Sequence, residues 1–346
     1  MKVKFLAIVF GWLAAASVPG ANQPAENSLI PEVEAERVSR QMRVAIDKQD
    51  WKAAIEHGQA LVKLEPAEPE PPFELARAYG LSGDAENALR WLQTSAERGF
   101  YSASNVLDEP ALDSARATLG YASALERIRK NGLDVLLSLR PNIERSPIVT
   151  HVPPNHDKTK AAPLIVALHG LGSSGDSIAG IWRSVANDAG AILIAPQALR
   201  QVSGRGYDWN VVEIAEAIAF RAVEKTKEQY NVDAKRIVLT GFSQGAAMTF
   251  SIALRNPSRF AGAIPVAGWY SPRVTPISKS STPLPRFAIL NGAGDSAADN
   301  NREAATLLES VGSPVLLKLF EGMGHSYPKD REVELKKAIE FVMPES

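Results

Sequence analysis

One stretch constrains this chain more than any other: Arg236-Ile-Val-Leu-Thr-Gly241-Phe-Ser243-Gln-Gly245-Ala-Ala-Met248. It opens as an apolar, β-branched strand, turns sharply between two glycines, and continues as the helical pattern Ala246–Leu254. Strand, tight turn with a central serine, helix is the context that exposes a serine as a nucleophile. A side chain two residues before or after the serine would collide with the neighbouring strand and helix, so both positions need glycine. The serine is left at the tip of the turn, with a helix N-terminus beneath it.

Composition narrows the chemistry available to such a serine. The chain has 346 residues, with 38 Lys+Arg against 39 Asp+Glu and a formal net charge of −1. That balance gives no support for nucleic acid as a partner. There are no cysteines, so disulfides and thiolate metal sites are excluded. The five histidines are His57, His151, His156, His169 and His325, and no pair has HExxH spacing. Neither a metal nor an organic cofactor is implied. Any imidazole base must come from those five.

Met1-Lys2-Val3-Lys4 is a basic start, and Phe5–Val18 is an apolar run of signal-peptide length followed by small residues. Residues 1–21 are therefore expected to be a signal peptide cleaved near Gly20 or Ala21. The run is short for a membrane span. The expected destination is export, periplasmic or secreted, with no stable span after cleavage.

Residues 26–135 are expected to form a small helical module. Glu34–Lys48 places Val38, Met42 and Ile46 on one face, and a second helix starts at Asp50-Trp51. Asp50 and Asp84, Ala54 and Ala88, and Ile55 and Leu89 recur at a 34-residue interval. This period, with small residues where paired helices touch, resembles the tetratricopeptide repeat. Such a module docks a protein partner, covers the catalytic site, or simply packs against the C-terminal domain.

From 136 to 346 the pattern alternates strand and helix. Strand candidates are Ile148–Val152, Leu164–Leu168, Ala191–Ala195, Ile237–Leu239, Phe260–Val266, Arg286–Leu290 and Val315–Phe320. Helix candidates include Val212–Tyr230, Arg302–Ser310 and Arg331–Val342. The alternation argues an α/β fold with a mainly parallel sheet.

Four motifs each follow a strand candidate: Leu168-His169-Gly170-Leu171-Gly172, Gly241-Phe242-Ser243-Gln244-Gly245-Ala246, Gly292-Ala293-Gly294-Asp295 and Gly322-Met323-Gly324-His325-Ser326. In this order, over roughly residues 145–343, they resemble the α/β-hydrolases, and within them the carboxylesterase, phospholipase and acyl-protein thioesterase branch. Ser243 is the candidate nucleophile, and a serine hydroxyl needs a base within hydrogen-bond reach. His325 is the candidate base and Asp295 the carboxylate that orients it. Ser…Asp…His is the chain order expected on this scaffold. Asp299 lies close enough in sequence to compete with Asp295 for that role.

The oxyanion hole is expected to use backbone N–H groups. Gln244, just after the nucleophile, supplies one, and the resemblance places the other at Leu171. The resemblance gives His169 no catalytic role and leaves it shaping the oxyanion loop. Trp209, in Tyr207-Asp208-Trp209-Asn210, is a candidate substrate-binding wall or a capping aromatic, and Trp269 and Tyr270 pose the same choice. Arg205 could meet a substrate carboxylate or phosphate. After Asp295 the run Ser296-Ala-Ala-Asp299-Asn-Asn301 departs from the hydrophobic residues and proline usual in thioesterase relatives.

The expected activity is hydrolysis of a carboxylic ester or thioester, small-molecule or lipid, through an acyl-enzyme. The rivals are a prolyl-oligopeptidase-like peptidase and an interaction protein with an inert hydrolase domain.

Overall fold

The computed structural model describes residues 29–204, 206–278 and 281–343. The expected signal peptide and Arg205 lie outside these residues. The chain divides into two compact units, the second beginning at Arg140.

The N-terminal unit is helical: α1 (Leu29–Asp47), α2 (Trp51–Leu64), α3 (Glu70–Leu81), α4 (Ala85–Glu97) and the short α5 (Ala103–Asp108). Consecutive helices pack against each other, α1 on α2, α2 on α3 and α3 on α4. The 34-residue interval reappears as equivalent structural roles. Asp50 and Asp84 each cap the following helix, accepting from the Ala53 and Asn87 N–H groups at 3.0 Å. Ala54 and Ala88 are fully buried. A core of Phe73, Leu92, Phe100, Leu112 and Ile128 fills the later part, with Phe73 and Phe100 stacked 4.5 Å apart. One long helix, α6 (Tyr121–Arg145), runs through residue 135 without a break. It carries no proline before Pro141 and continues past that residue to Arg145.

The C-terminal unit is an α/β fold, a mostly parallel sheet flanked by helices. Its strands are β1 (Ile148–His151), β2 (Ala162–Leu168), β3 (Ile192–Pro196), β4 (Arg200–Ser203), β5 (Gly206–Asp208), β6 (Val232–Phe242), β7 (Gly262–Val266), β8 (Arg286–Gly292) and β9 (Val315–Phe320). Among the described residues seven of them form one sheet in the order β1-β3-β2-β6-β7-β8-β9. Only β1 runs antiparallel. Every residue of β2, β3 and β7 is buried. Successive side chains point to opposite faces, so the sheet is covered on both sides.

The covering helices are α7 (Gly175–Asp188), α8 (Val212–Gln229), α9 (Gln244–Arg255), α10 (Ala298–Ser310) and α11 (Arg331–Val342). α7 and α11 share a core with the sheet through Ile178, Trp182, Val185, Leu335 and Ile339. α8 packs on α9, and α9 on β6 and β7. The helix α7 is absent from the sequence-based expectations, although Ile178, Trp182 and Val185 recur at helical spacing and Ser174 caps it. The sequence-based expectations hold no strand between Ala195 and Val212, but here β4 and β5 pair as a two-stranded hairpin.

The turn from β6 into α9 is set by two close approaches. A Cβ on Gly241 would fall on the carbonyl of Gly245, and one on Gly245 would fall on the carbonyl oxygens of Leu168 and His169 at the end of β2. Between them Ser243 has φ +55° and ψ −117°, a conformation costing about 1–3 kcal/mol that the surroundings must over-determine. They do so through three backbone bonds: Ser243 N–H to Val266 C=O at 3.0 Å, and Ser243 C=O from the Ala246 and Ala247 N–H groups at 2.9 and 3.1 Å.

Two glycine substitutions should therefore have opposite signs. Gly245→Ala must displace the backbone of β2 and should cost more than about 3 kcal/mol, the upper range of ordinary overpacking. Gly180→Ala, in mid-α7 with nothing within 4 Å of the new methyl, should gain up to about 1 kcal/mol from helix propensity. Urea unfolding midpoints check both.

Candidate active site

Three loops at the ends of parallel strands β6, β8 and β9 of one sheet bring the candidate residues together. Ser243 follows β6, Asp295 follows β8, and His325 lies in the loop after β9. The last two loops are zipped to each other: Ala293 N–H donates to Phe320 C=O at 2.9 Å and Gly294 N–H to Met323 C=O at 2.8 Å. Phe242 stacks on Tyr327, centroids 4.7 Å apart, and lies 5.4 Å from the His325 ring. The residue before the serine thus braces the loop that carries the histidine.

The resulting geometry is a continuous hydrogen-bond chain. His325 Nε2 is 2.8 Å from Ser243 Oγ, and His325 Nδ1 is 2.8 Å from Asp295 Oδ2. Nδ1–H donates to the carboxylate, which leaves Nε2 free to accept the serine proton. Although Ser243 occupies the N-cap of α9, its side chain makes no capping bond, so Oγ is available to the imidazole. The Asp295 side chain is 2% exposed and that of His325 is 52% exposed. The carboxylate is fixed in the interior, with Oδ1 accepting the Ala297 N–H at 3.0 Å, while the imidazole reaches solvent.

The competing carboxylate faces elsewhere. Asp299 is 91% exposed and ion-paired with Arg302, one turn along α10. The unusual run after Asp295 has a structural use. Asn300 closes a pair of 2.8 Å bonds with the Tyr270 backbone, and Asn301 donates to Gly268 C=O at 3.0 Å. Both tie the start of α10 to the loop after β7.

The loop after β2 carries Leu171, which is exposed. Gln244 begins α9. Among the described residues neither backbone N–H has a backbone acceptor. His169 is fully buried, and its ring bonds its own loop at one nitrogen and the segment after β3 at the other. Nδ1 is 2.8 Å from Gly170 C=O, and Nε2 accepts from Ala198 N–H at 3.3 Å and Gln197 Nε2 at 3.2 Å. Burial holds its pKa below the ordinary histidine value, consistent with a neutral ring that donates at one nitrogen and accepts at the other. Gln197 Oε1 in turn accepts the Gly175 N–H at the start of α7.

Trp209 is 3% exposed, its ring 4.8 Å from that of His169. Tyr270 is also buried, its hydroxyl donating to Thr275 C=O and accepting from Ile277 N–H, so it holds the 271–277 loop. Trp269 is half-buried. Gln197 and the β4–β5 hairpin are not among the sequence-based candidates. Arg200 and Asp208 pair across the hairpin.

Comparison with known proteins places this geometry in context. A profile of the phospholipase/carboxylesterase family matches residues 211–343, which include Ser243, Asp295 and His325 but not Leu171 or Trp209. The chain is similar to the poly(3-hydroxyalkanoate) depolymerase C of Paucimonas lemoignei, 34% identical over 118 residues, 31% of this chain and 28% of that protein. It is similar to acyl-protein thioesterase 1 of Gibberella zeae, 29% identical over 119 residues, 32% of this chain and 49% of that protein. It is also similar to a bifunctional acetylxylan esterase/xylanase of Neocallimastix patriciarum, 26% identical over 138 residues, 39% of this chain and 19% of that protein. The matches thus span from about a fifth to about half of these relatives' lengths.

If Asp295 is the orienting carboxylate, Asp295→Asn should lower kcat for a p-nitrophenyl ester by on the order of 10⁴. Asp299→Asn should leave it within about twofold, since exposed ion pairs contribute little. Steady-state kinetics of the two variants side by side checks the assignment.

Proposed function

We propose that this chain is an exported serine hydrolase that cleaves a carboxylic ester or thioester through an acyl-enzyme on Ser243. The observation that carries the reading is the unbroken chain from Ser243 Oγ through His325 to the buried Asp295 carboxylate. Residues 1–21 are the signal for export, and the helices ahead of Arg140 include a tetratricopeptide-like module.

In this mechanism His325 Nε2 takes the proton from Ser243 as Oγ attacks the carbonyl carbon. Negative charge then develops on the carbonyl oxygen, and the Leu171 and Gln244 N–H groups receive it. The intermediate collapses, His325 gives its proton to the departing alcohol or thiol, and the acyl group stays on Ser243. Water, deprotonated by His325, attacks the acyl-enzyme, and the carboxylic acid leaves as the serine recovers its proton. Asp295 stays ionised throughout and steadies the imidazolium.

The three relatives are named for an acetylxylan, a poly(3-hydroxyalkanoate) and an acyl-protein. Their common chemistry is transfer of an acyl group to water, and that step is the one carried over here. A prolyl-oligopeptidase-like peptidase would carry a propeller ahead of its catalytic domain. The described residues before Arg140 are helical, which weighs against that rival. A complete and mutually bonded Ser, His and Asp weighs against an inert domain.

Ser243→Ala should lower kcat toward a short p-nitrophenyl ester by roughly 10⁶. It should also abolish labelling by a fluorophosphonate probe. Undiminished turnover, or a label on another residue, would contradict the reading.

A further inference from the structure

The mechanism asks two backbone N–H groups, Leu171 and Gln244, to point at one oxygen. They belong to different segments: Leu171 follows β2, and Gln244 begins α9 after β6. An oxyanion hole is effective because its donors are held in place before charge appears. Something must fix one segment against the other near the tip.

Trp209 has a hydrogen bond to each. Its backbone N–H donates to the Gln244 side-chain Oε1 at 2.8 Å. Its indole N–H donates to the His169 carbonyl oxygen at 2.8 Å. His169 is two residues before Leu171, and the indole also lies against its imidazole. One buried residue therefore reaches both donor-bearing segments with its two N–H groups.

Trp209 can act as a brace because the strands before it are tied at several points. The β4–β5 hairpin is closed by its register and by the bidentate Arg200–Asp208 ion pair, with the Asp208 side chain 4% exposed. The hairpin is also bonded to the far side of the Leu171 loop. Gly172 N–H donates to Tyr207 C=O, and Tyr207 N–H to Ser173 C=O, both at 2.9 Å. Leu171 thus sits between two anchor points on one short stretch of chain: Tyr207 beyond it at 172–173, and Trp209 before it at 169. Inside the loop the neutral His169 ring bonds Gly170 C=O.

We propose that Trp209 is a positioning residue of the oxyanion site, and that the β4–β5 hairpin sets the separation and direction of the Leu171 and Gln244 N–H groups. The inference rests on the reading of Ser243 as nucleophile with these two donors. It adds a residue outside the matched family region and gives the 200–209 segment a part in the chemistry. Trp209 acts through its hydrogen bonds from beneath the loop, not as an open wall of the cleft.

The test separates positioning from packing. Trp209→Phe removes the indole N–H and keeps a ring against His169. Gln244→Met removes the acceptor of the Trp209 backbone N–H and keeps the Gln244 backbone N–H. Each variant should lower kcat for a p-nitrophenyl ester between about tenfold and a hundredfold, the effect of sub-ångström to ångström misplacement, with KM within about twofold. Each should weaken a trifluoromethyl ketone, whose reversible hemiketal on Ser243 presents an oxyanion, by the same factor as kcat/KM. A packing role alone would lower the thermal midpoint and leave kcat and ketone affinity unchanged at temperatures well below it. Unchanged kcat or unchanged ketone affinity in either folded variant overturns the proposal. If Trp209→Phe does not fold, Gln244→Met decides alone. Ser243→Ala run in parallel separates the two levels of failure. Retained turnover there removes the nucleophile assignment and this inference together, whereas an inactive Ser243→Ala beside a fully active Trp209→Phe removes only this inference.

Discussion

The approach of the first turn of α9 to the end of β2 governs the C-terminal unit. Gly245 lies so close to the Leu168 and His169 carbonyls that no side chain fits between them. That contact fixes where β6 must end and how sharply the chain must turn, and so forces Ser243 into its left-handed conformation. The same crowded corner brings the loop after β2 beside the N-terminus of α9. The His169 carbonyl therefore takes part twice, as the limit on Gly245 and as the acceptor of the Trp209 indole. Strain at the serine is maintained by the packing of two parallel strands, and would relax if either strand moved.

The second requirement is electrostatic. A serine proton can move to His325 only if the resulting imidazolium is stabilised, and Asp295 is suited to that because it is buried and already bonded at its other oxygen. A carboxylate as exposed as Asp299 would be screened by water and drawn to Arg302. The division of burial along the chain, interior at the aspartate and open at the histidine, suits a site that holds its charge fixed while admitting a substrate.

Legibility in the sequence followed the range of the forces involved. The glycine pair around Ser243 was legible because its cause is steric and local. The parallel strands were legible because burial on both faces writes continuous apolar runs such as Leu164–Leu168. Asp295 was named from its place after β8 with Asp299 in competition, because both follow that strand closely and only the start of α10 decides which one turns inward. The hairpin was missed because Gly204-Arg205-Gly206 reads as a loop, and its strands are held by Arg200–Asp208 and by backbone bonds to residues 172–173. Those partners are distant in sequence and leave no alternating pattern. In the N-terminal unit the 34-residue interval was visible because it repeats caps and small buried residues at Asp50, Asp84, Ala54 and Ala88. The length of α6 was not visible, since the helix runs on through Gly132 and Pro141, residues that usually end one.

The central claim is that an acyl group passes through Ser243. It is tested most directly by quenching the protein in acid during turnover of a slowly deacylating ester and measuring its intact mass and peptide map. The account predicts a transient species heavier by one acyl group in place of one hydrogen, with the acyl group on the peptide containing Ser243. Turnover with no such species at any stage of the time course, or an acyl group on another residue, would contradict it.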